Sequence, residues 1–159
     1  MGISHNKNKN AINVIEKLMK QEEEKAFAIF KDSIQDFVEE ASVPVKDGGN
    51  MPVDTGFLRL SGVGAINQIP SGEIRGRDRN PGETGVIYKS NPSGAITPML
   101  VKLKTDDTFY FGWTAIYAEN RNAYYGFLNK TVQNWSKIVD RNKKKIKAGS
   151  FKSWSQRYE

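Results

Sequence analysis

Apolar positions fall into two long runs at helical spacing, separated by a stretch of shorter and mixed periodicity. From about Ala11 to Ala41 they recur at Ile15, Leu18, Ala26, Ile29, Phe30, Ile34, Phe37, Val38 and Ala41, with Glu, Lys and Gln between them. Steps of three and four residues put such positions on one helical face. The run therefore predicts a long amphipathic helix. It should end before Pro44, because the residue preceding a proline is pushed out of the helical region. The second run, Phe127, Leu128, Val132, Trp135, Ile138, Val139 and Ile146, predicts a helix from about Tyr124 to Ala148, stopped by Gly149.

The intervening chain reads as loops and short strands. Residues 43–56, with Pro44, Pro52, Gly48, Gly49 and Gly56, form a loop. Asp54 or Thr55 can then cap a short helical turn through Phe57, Leu58 and Leu60. Ser61 to Ile69 suits a strand bent at Gly62 and Gly64, residues 70–85 an exposed loop, and Val86 to Lys89 a short strand. Ile96 to Leu103 and Thr108 to Trp113 look like two strands of an antiparallel hairpin turned at Lys104 to Asp107. The expected fold class is α+β: a long N-terminal helix, a small antiparallel sheet with long loops, and a long C-terminal helix, the two helices covering one face of the sheet. Residues 11–148 make a single domain. Residues 1–10 are expected to be a flexible leader, and 149–159 a C-terminal arm in which Phe151, Trp154 and Tyr158 could dock.

Composition narrows the chemistry. A chain of 159 residues fits one domain. Cysteine is absent and His5 is the single histidine, which removes thiol nucleophiles, thiolate metal sites and histidine triads within one chain. No apolar stretch approaches the roughly 18–20 residues of a spanning helix, so the expected setting is a cytosol or a particle assembled there. Clustered carboxylates, at Glu22 to Glu24, Glu39 with Glu40, and Asp106 with Asp107, point in different directions when adjacent on a helix and read as solvated faces. Together these readings predict a protein that is not an enzyme, with no cofactor and no metal.

The charge of +6 is concentrated at one end. Residues 130–159 carry nine Lys or Arg against Asp140 and Glu159, leaving the rest of the chain close to neutral. Within it Lys137, Arg141, Lys143, Lys144, Lys145 and Lys147 crowd about three helical turns. Such a run can grip phosphate backbones without reading sequence. It can equally serve the helix dipole and solubility. Aromatics cluster at residues 109–113 and 124–127 without interleaved basic residues, which favours core and interface packing. Tyr117, Tyr124 and Tyr125 are interface candidates, and Glu119 with Arg121 is a candidate ion pair within or between subunits.

Two stretches carry a family likeness. Met51, Pro52, Val53, Asp54, Thr55, Gly56, Phe57, Leu58, Arg59, Leu60 and Ser61 resemble the P-V-D-T-G-x-L-R-x-S signature of the tail-completion and neck proteins of tailed bacteriophages, the head–tail joining or minor tail proteins. Residues 109–132 resemble that family's strand, Tyr-Ala, Glu and Phe-Leu pattern. The resemblance spans roughly Phe30 to Ile146. It implies a virion structural protein, assembled in the host cytoplasm as a hexameric ring of its own copies. Its implied partners are the head connector or adaptor and the tail terminator or tail tube, with DNA passing through the lumen and no membrane involved. For Pro52, Val53, Asp54, Thr55 and Gly56 it implies a structural turn. The alternative expectation is a nucleic-acid-binding accessory protein that uses the basic helix.

Overall fold

A computed structural model describes residues 4–70 and 92–148, with side chains from Lys9 onward. The protein is a mixed helix and sheet fold with a long N-terminal helix, a two-stranded antiparallel sheet and a C-terminal helix. In chain order the elements are α1 (Ser4–Ala41), a 3₁₀ turn (Val45–Asp47), α2 (Phe57–Leu60), β1 (Gly62–Ile66), α3 (Pro92–Lys102), β2 (Phe109–Trp113), α4 (Ala118–Tyr125), α5 (Phe127–Gln133) and α6 (Trp135–Ala148). Helix α1 begins at Ser4 instead of near Ala11, since neither Gly nor Pro interrupts residues 4–41. The strand expected at Val86 to Lys89, most of the loop 70–85 and the arm 149–159 lie outside the described residues.

Three expectations are corrected. Residues 96–103 are not a strand: Ile96, Leu100 and Leu103 are buried at steps of four and three, the spacing of one helical face. Pro92 opens that helix, where a missing N–H costs nothing. Pro98 lies on its exposed side together with Gly94, so the helical bond it cannot donate falls where solvent substitutes. The partner of β2 is consequently β1, in the register Gly62↔Trp113, Gly64↔Phe111 and Ile66↔Phe109. Finally, the long helix expected over 124–148 is three helices. Gly126 stands between α4 and α5 at φ 69, a left-handed conformation suited to glycine. Asn122 Oδ1 then accepts the Leu128 N–H at 2.9 Å and caps α5 from the preceding helix. At Asn134 the chain turns again, and Val132, expected on the buried side, is 54% exposed while Thr131 points inward.

The first core joins α1, α3 and α6 to the sheet through Ala28, Ile34, Val38, Ile96, Leu100 and Leu103, with Phe37, Phe109, Phe111, Trp135 and Ile146 packed around them. The helix lying directly on β1 is α3, whereas α1 packs on α3 and α6. Gly62 and Gly64 serve this contact more than they bend the strand. A Cβ at Gly62 would sit 2.9 Å from Pro92 Cβ, and one at Gly64 would sit 3.1 Å from Ile96 Cγ2. Each faces an aromatic ring across the sheet, so small and large residues alternate to fill the layer. The second core, Met51, Leu58, Ala115, Ala118 and Phe127, lies under the loop and α4.

A candidate interaction groove and the basic helix

The loop after α1 is tied back on itself. Met51 N–H donates to Val43 O and Val45 N–H to Met51 O, both at 3.0 Å, which forms a bridge between Pro44 and Met51. This pins Met51 into the second core, fully buried. The chain then turns through residues 52–56. Gly56 takes φ 89, a conformation that other residues adopt at a cost of about 1–3 kcal/mol. Thr55, nearly buried, accepts the Phe57 N–H on its Oγ1 at 3.3 Å and starts α2. Leu58 enters the core, and Ser61 closes the segment: its carbonyl accepts both the N–H (2.9 Å) and the hydroxyl (3.1 Å) of Thr114. Each of these residue types thus has a local structural reason at its place.

Against this turn lies α4. Tyr117, Arg121 and Tyr125, four residues apart, share one side of it and line a groove of about 820 Å³. Its other walls are Pro44, Val45 and Lys46, and residues 52–58. The Phe57 and Tyr117 rings meet at 6.4 Å between centroids. Of the five interface candidates, the structure brings Tyr117, Arg121 and Tyr125 to the signature turn. Glu119 and Tyr124 are exposed and do not line the groove, and Glu119 forms no ion pair among the described residues. Tyr124 is 82% exposed and packs edge-on against Tyr125 at 4.9 Å. Sequence reasoning missed Pro44, Val45 and Lys46. The signal was their position, between Pro44 and the paired Gly48 and Gly49, in a loop that had to fold back.

Compared with known proteins, the chain matches no family model, no curated sequence and no solved structure.

The basic helix α6 divides into two sides. Arg141 and Lys145 reach the carboxylate of Asp36 on α1 at 3.1 and 3.3 Å, and the buried Asn142 donates to the same Oδ2 at 3.0 Å. Lys143 pairs with Asp140 one turn away at 3.6 Å. Lys137, Lys144 and Lys147 are exposed and have no ion-pair partner among the described residues. Two of the six candidate cations therefore hold α6 to α1, and a third is partly neutralised on its own helix. Among the described residues no group of three or more His, Asp or Glu is placed to hold a metal ion, and no helix is long and apolar enough to cross a membrane.

Burial pushes the Asp36 carboxyl up, but the Asn142 hydrogen bond, the Lys145 charge and the bonds from Lys145 and Arg141 together outweigh it, so it is held below its ordinary value of 3.8. A carboxyl whose folded pKa is lowered contributes stability that is present above the unfolded pKa and lost as pH falls through the folded one. Urea unfolding from pH 7 to pH 3 should show stability dropping as pH passes below about 4, with a weaker drop in Asp36→Asn. Identical pH dependence in the two proteins would contradict this role.

Proposed function

We propose that this protein is a structural subunit of a tailed-bacteriophage neck, forming a tail-completion ring that joins the head connector to the tail and leaves a lumen for DNA. One observation carries the reading. The two stretches on which the family likeness rests, residues 51–61 and 109–132, lie far apart in the chain yet meet at one groove and share one core. A groove rimmed by Tyr117, Tyr125 and Arg121 has the residue types that dominate the centres of protein interfaces. It suits the docking of a neighbouring subunit or a neck partner better than small-molecule chemistry. The alternative, nucleic-acid binding through α6, is supported less, because Arg141 and Lys145 are engaged by Asp36. Lys137, Lys144 and Lys147 remain as cations that could meet passing DNA without reading its sequence.

Imaging of intact particles tests the reading by locating the protein. Density for a ring of this chain at the head–tail junction is the expected result, and particles without it there would overturn the proposal. Arg121→Glu should leave the isolated protein folded, since Arg121 is exposed. Its incorporation into particles should drop by at least about tenfold, the scale of losing an arginine anchor.

A further inference from the structure

Strand β2 pairs with β1 along one edge and leaves its other edge open. At the two ends of the ladder Asn67 N–H donates to Thr108 O at 2.8 Å and Thr114 N–H to Ser61 O at 2.9 Å. Hydrogen-bonded pairs alternate along an antiparallel ladder, so between those ends Tyr110 and Gly112 turn their N–H and C=O groups toward β1. Phe109, Phe111 and Trp113 turn theirs away, and none of these groups has a backbone partner among the described residues. On β1 the outward groups belong in part to Gly62 and Gly64, which are buried beside Pro92 and Ile96 of α3. Phe109, Phe111 and Trp113 stay partly exposed although their rings face the core. Edges that remain in solvent are usually guarded by a charged residue, a proline or a bulge. Residues 109–113, Phe-Tyr-Phe-Gly-Trp, contain neither charge nor proline, and their register with β1 runs without a bulge.

The strand that fits this edge is β2 itself. A two-fold axis running along the strands would set N–H level with N–H, so two identical edges pair only when antiparallel. With Phe111 on the axis, Phe111 opposes its own copy, Phe109 opposes Trp113 and Tyr110 opposes Gly112. Every outward N–H and C=O of residues 109, 111 and 113 then meets a partner. On the core face the opposed side chains are all aromatic, a favourable cross-strand combination. On the other face Tyr110, 37% exposed, meets Gly112, where a Cβ would find nothing within 4 Å. Each tyrosine ring can thus cover the glycine of the other copy, as aromatic rings do for strand glycines elsewhere. An axis at Tyr110 would set ring against ring and leave Trp113 with no strand residue opposite. An axis at Gly112 would set gap against gap and leave Phe109 in the same position.

We propose that β2 pairs antiparallel with β2 of a second copy of this chain, with Phe111 on the two-fold axis, so that one four-stranded sheet crosses the dimer. The pairing does not rest on the neck-ring reading. A closed two-fold contact cannot propagate a ring, which needs a head-to-tail surface elsewhere on the molecule.

Because the chain has no cysteine, single thiols introduced into the full-length protein report the register. Tyr110→Cys and Gly112→Cys both lie on the open face of the sheet and should fold. Mixed and oxidised, they should form a disulfide-linked heterodimer, since directly opposed residues of this kind of pair have Cα atoms about 4.5 Å apart, within the span a disulfide bridges. Each variant alone should stay largely unlinked, because its own copy is a diagonal neighbour about 7–8 Å away. Efficient self-linking of either variant would move the axis and overturn the proposal. Backbone amides of the wild-type protein give an independent readout. Those of Phe109, Phe111 and Trp113 should exchange with deuterium about tenfold more slowly where dimer outnumbers monomer about ten to one. Those of Tyr110 and Gly112, which bond β1 in either state, should change little. A dimer in which residues 109, 111 and 113 exchange as fast as they do on dilution would overturn the pairing. Protein that is monomeric by light scattering, with no mixed cross-link, would also overturn it and leave the edge to a strand of another protein.

Discussion

Phe127→Ala should be the most destabilising single truncation of the apolar residues, by about 3–5 kcal/mol. Phe127 opens α5 with 1% of its surface exposed, and its ring stands edge-on to Trp113 at 4.9 Å. Trp113 in turn stands edge-on to Phe111 at 4.9 Å, so one ring links the second core to the sheet. Removing it leaves a cavity bordered by Met51, Leu58 and Ala118, which are held by a tied loop, a capped turn and a helix that cannot easily close in. A domain of this size holds roughly 5–15 kcal/mol in total, so the variant should unfold at a much lower urea concentration with an unchanged slope. Phe127→Leu, which keeps most of the volume, should cost less than about 1.5 kcal/mol. Similar midpoints for the alanine variant and the wild type would refute this account of the core.

The second large effect is expected at Gly49. A Cβ there would lie 2.1 Å from the Val43 carbonyl oxygen and 2.6 Å from the Val43 carbonyl carbon. These are backbone atoms, so no side chain can move aside. Gly49→Ala should therefore open the loop that the bonds from Met51 N–H to Val43 O and from Gly49 N–H to Pro44 O hold shut. The expected loss is about 1–3 kcal/mol, as for other overpacked sites, together with loosening of the groove wall at Pro44 and Lys46. Neighbouring Gly48 is the control. It has φ 87 but nothing within 4 Å of a Cβ, so Gly48→Ala strains only the backbone. Thermal melts of the two variants should rank Gly49→Ala below Gly48→Ala, and the reverse order would be inconsistent with the contact described.

Legibility in the sequence followed the range of the interactions. The C-terminal half of α1 was readable because Ile34, Phe37, Val38 and Ala41 repeat a helical period. The two strands were visible as segments for similar local reasons. Their pairing was not. A polar turn at Lys104 to Asp107 favours the nearest hairpin, whereas the true partner of β2 is β1, and the turn leads from a helix into a strand. There Asp107 accepts the Asn67 side chain at 2.7 Å and the Lys104 N–H at 2.8 Å, interactions that hold its carboxyl below the usual range. Residues 96–103 misled because a short apolar run fits both periods, and the choice was made by α1 and β1 on either side of it. The breaks at Gly126 and Asn134 interrupt a pattern that is periodic enough to continue. They become evident only when Asn122 is seen capping α5 and Asn134 bonding Glu40 at 2.9 Å. At the candidate site the signature turn was visible as a motif. That its groove is completed by α4 depended on tertiary placement.

The seam between α1 and α6 also bears on how the chain is made. Asp36 and Lys145, which meet across it, are 109 residues apart in sequence. At roughly 5–20 residues per second, a ribosome needs on the order of 5–20 s to travel between them, and the last helix must still clear the exit tunnel. Through most of that interval the newborn α1 carries Phe37 without Trp135 of α6, whose ring will stand edge-on to it at 6.0 Å. It is therefore a natural substrate for a holding chaperone, and slowing translation of the second half should lengthen its exposure.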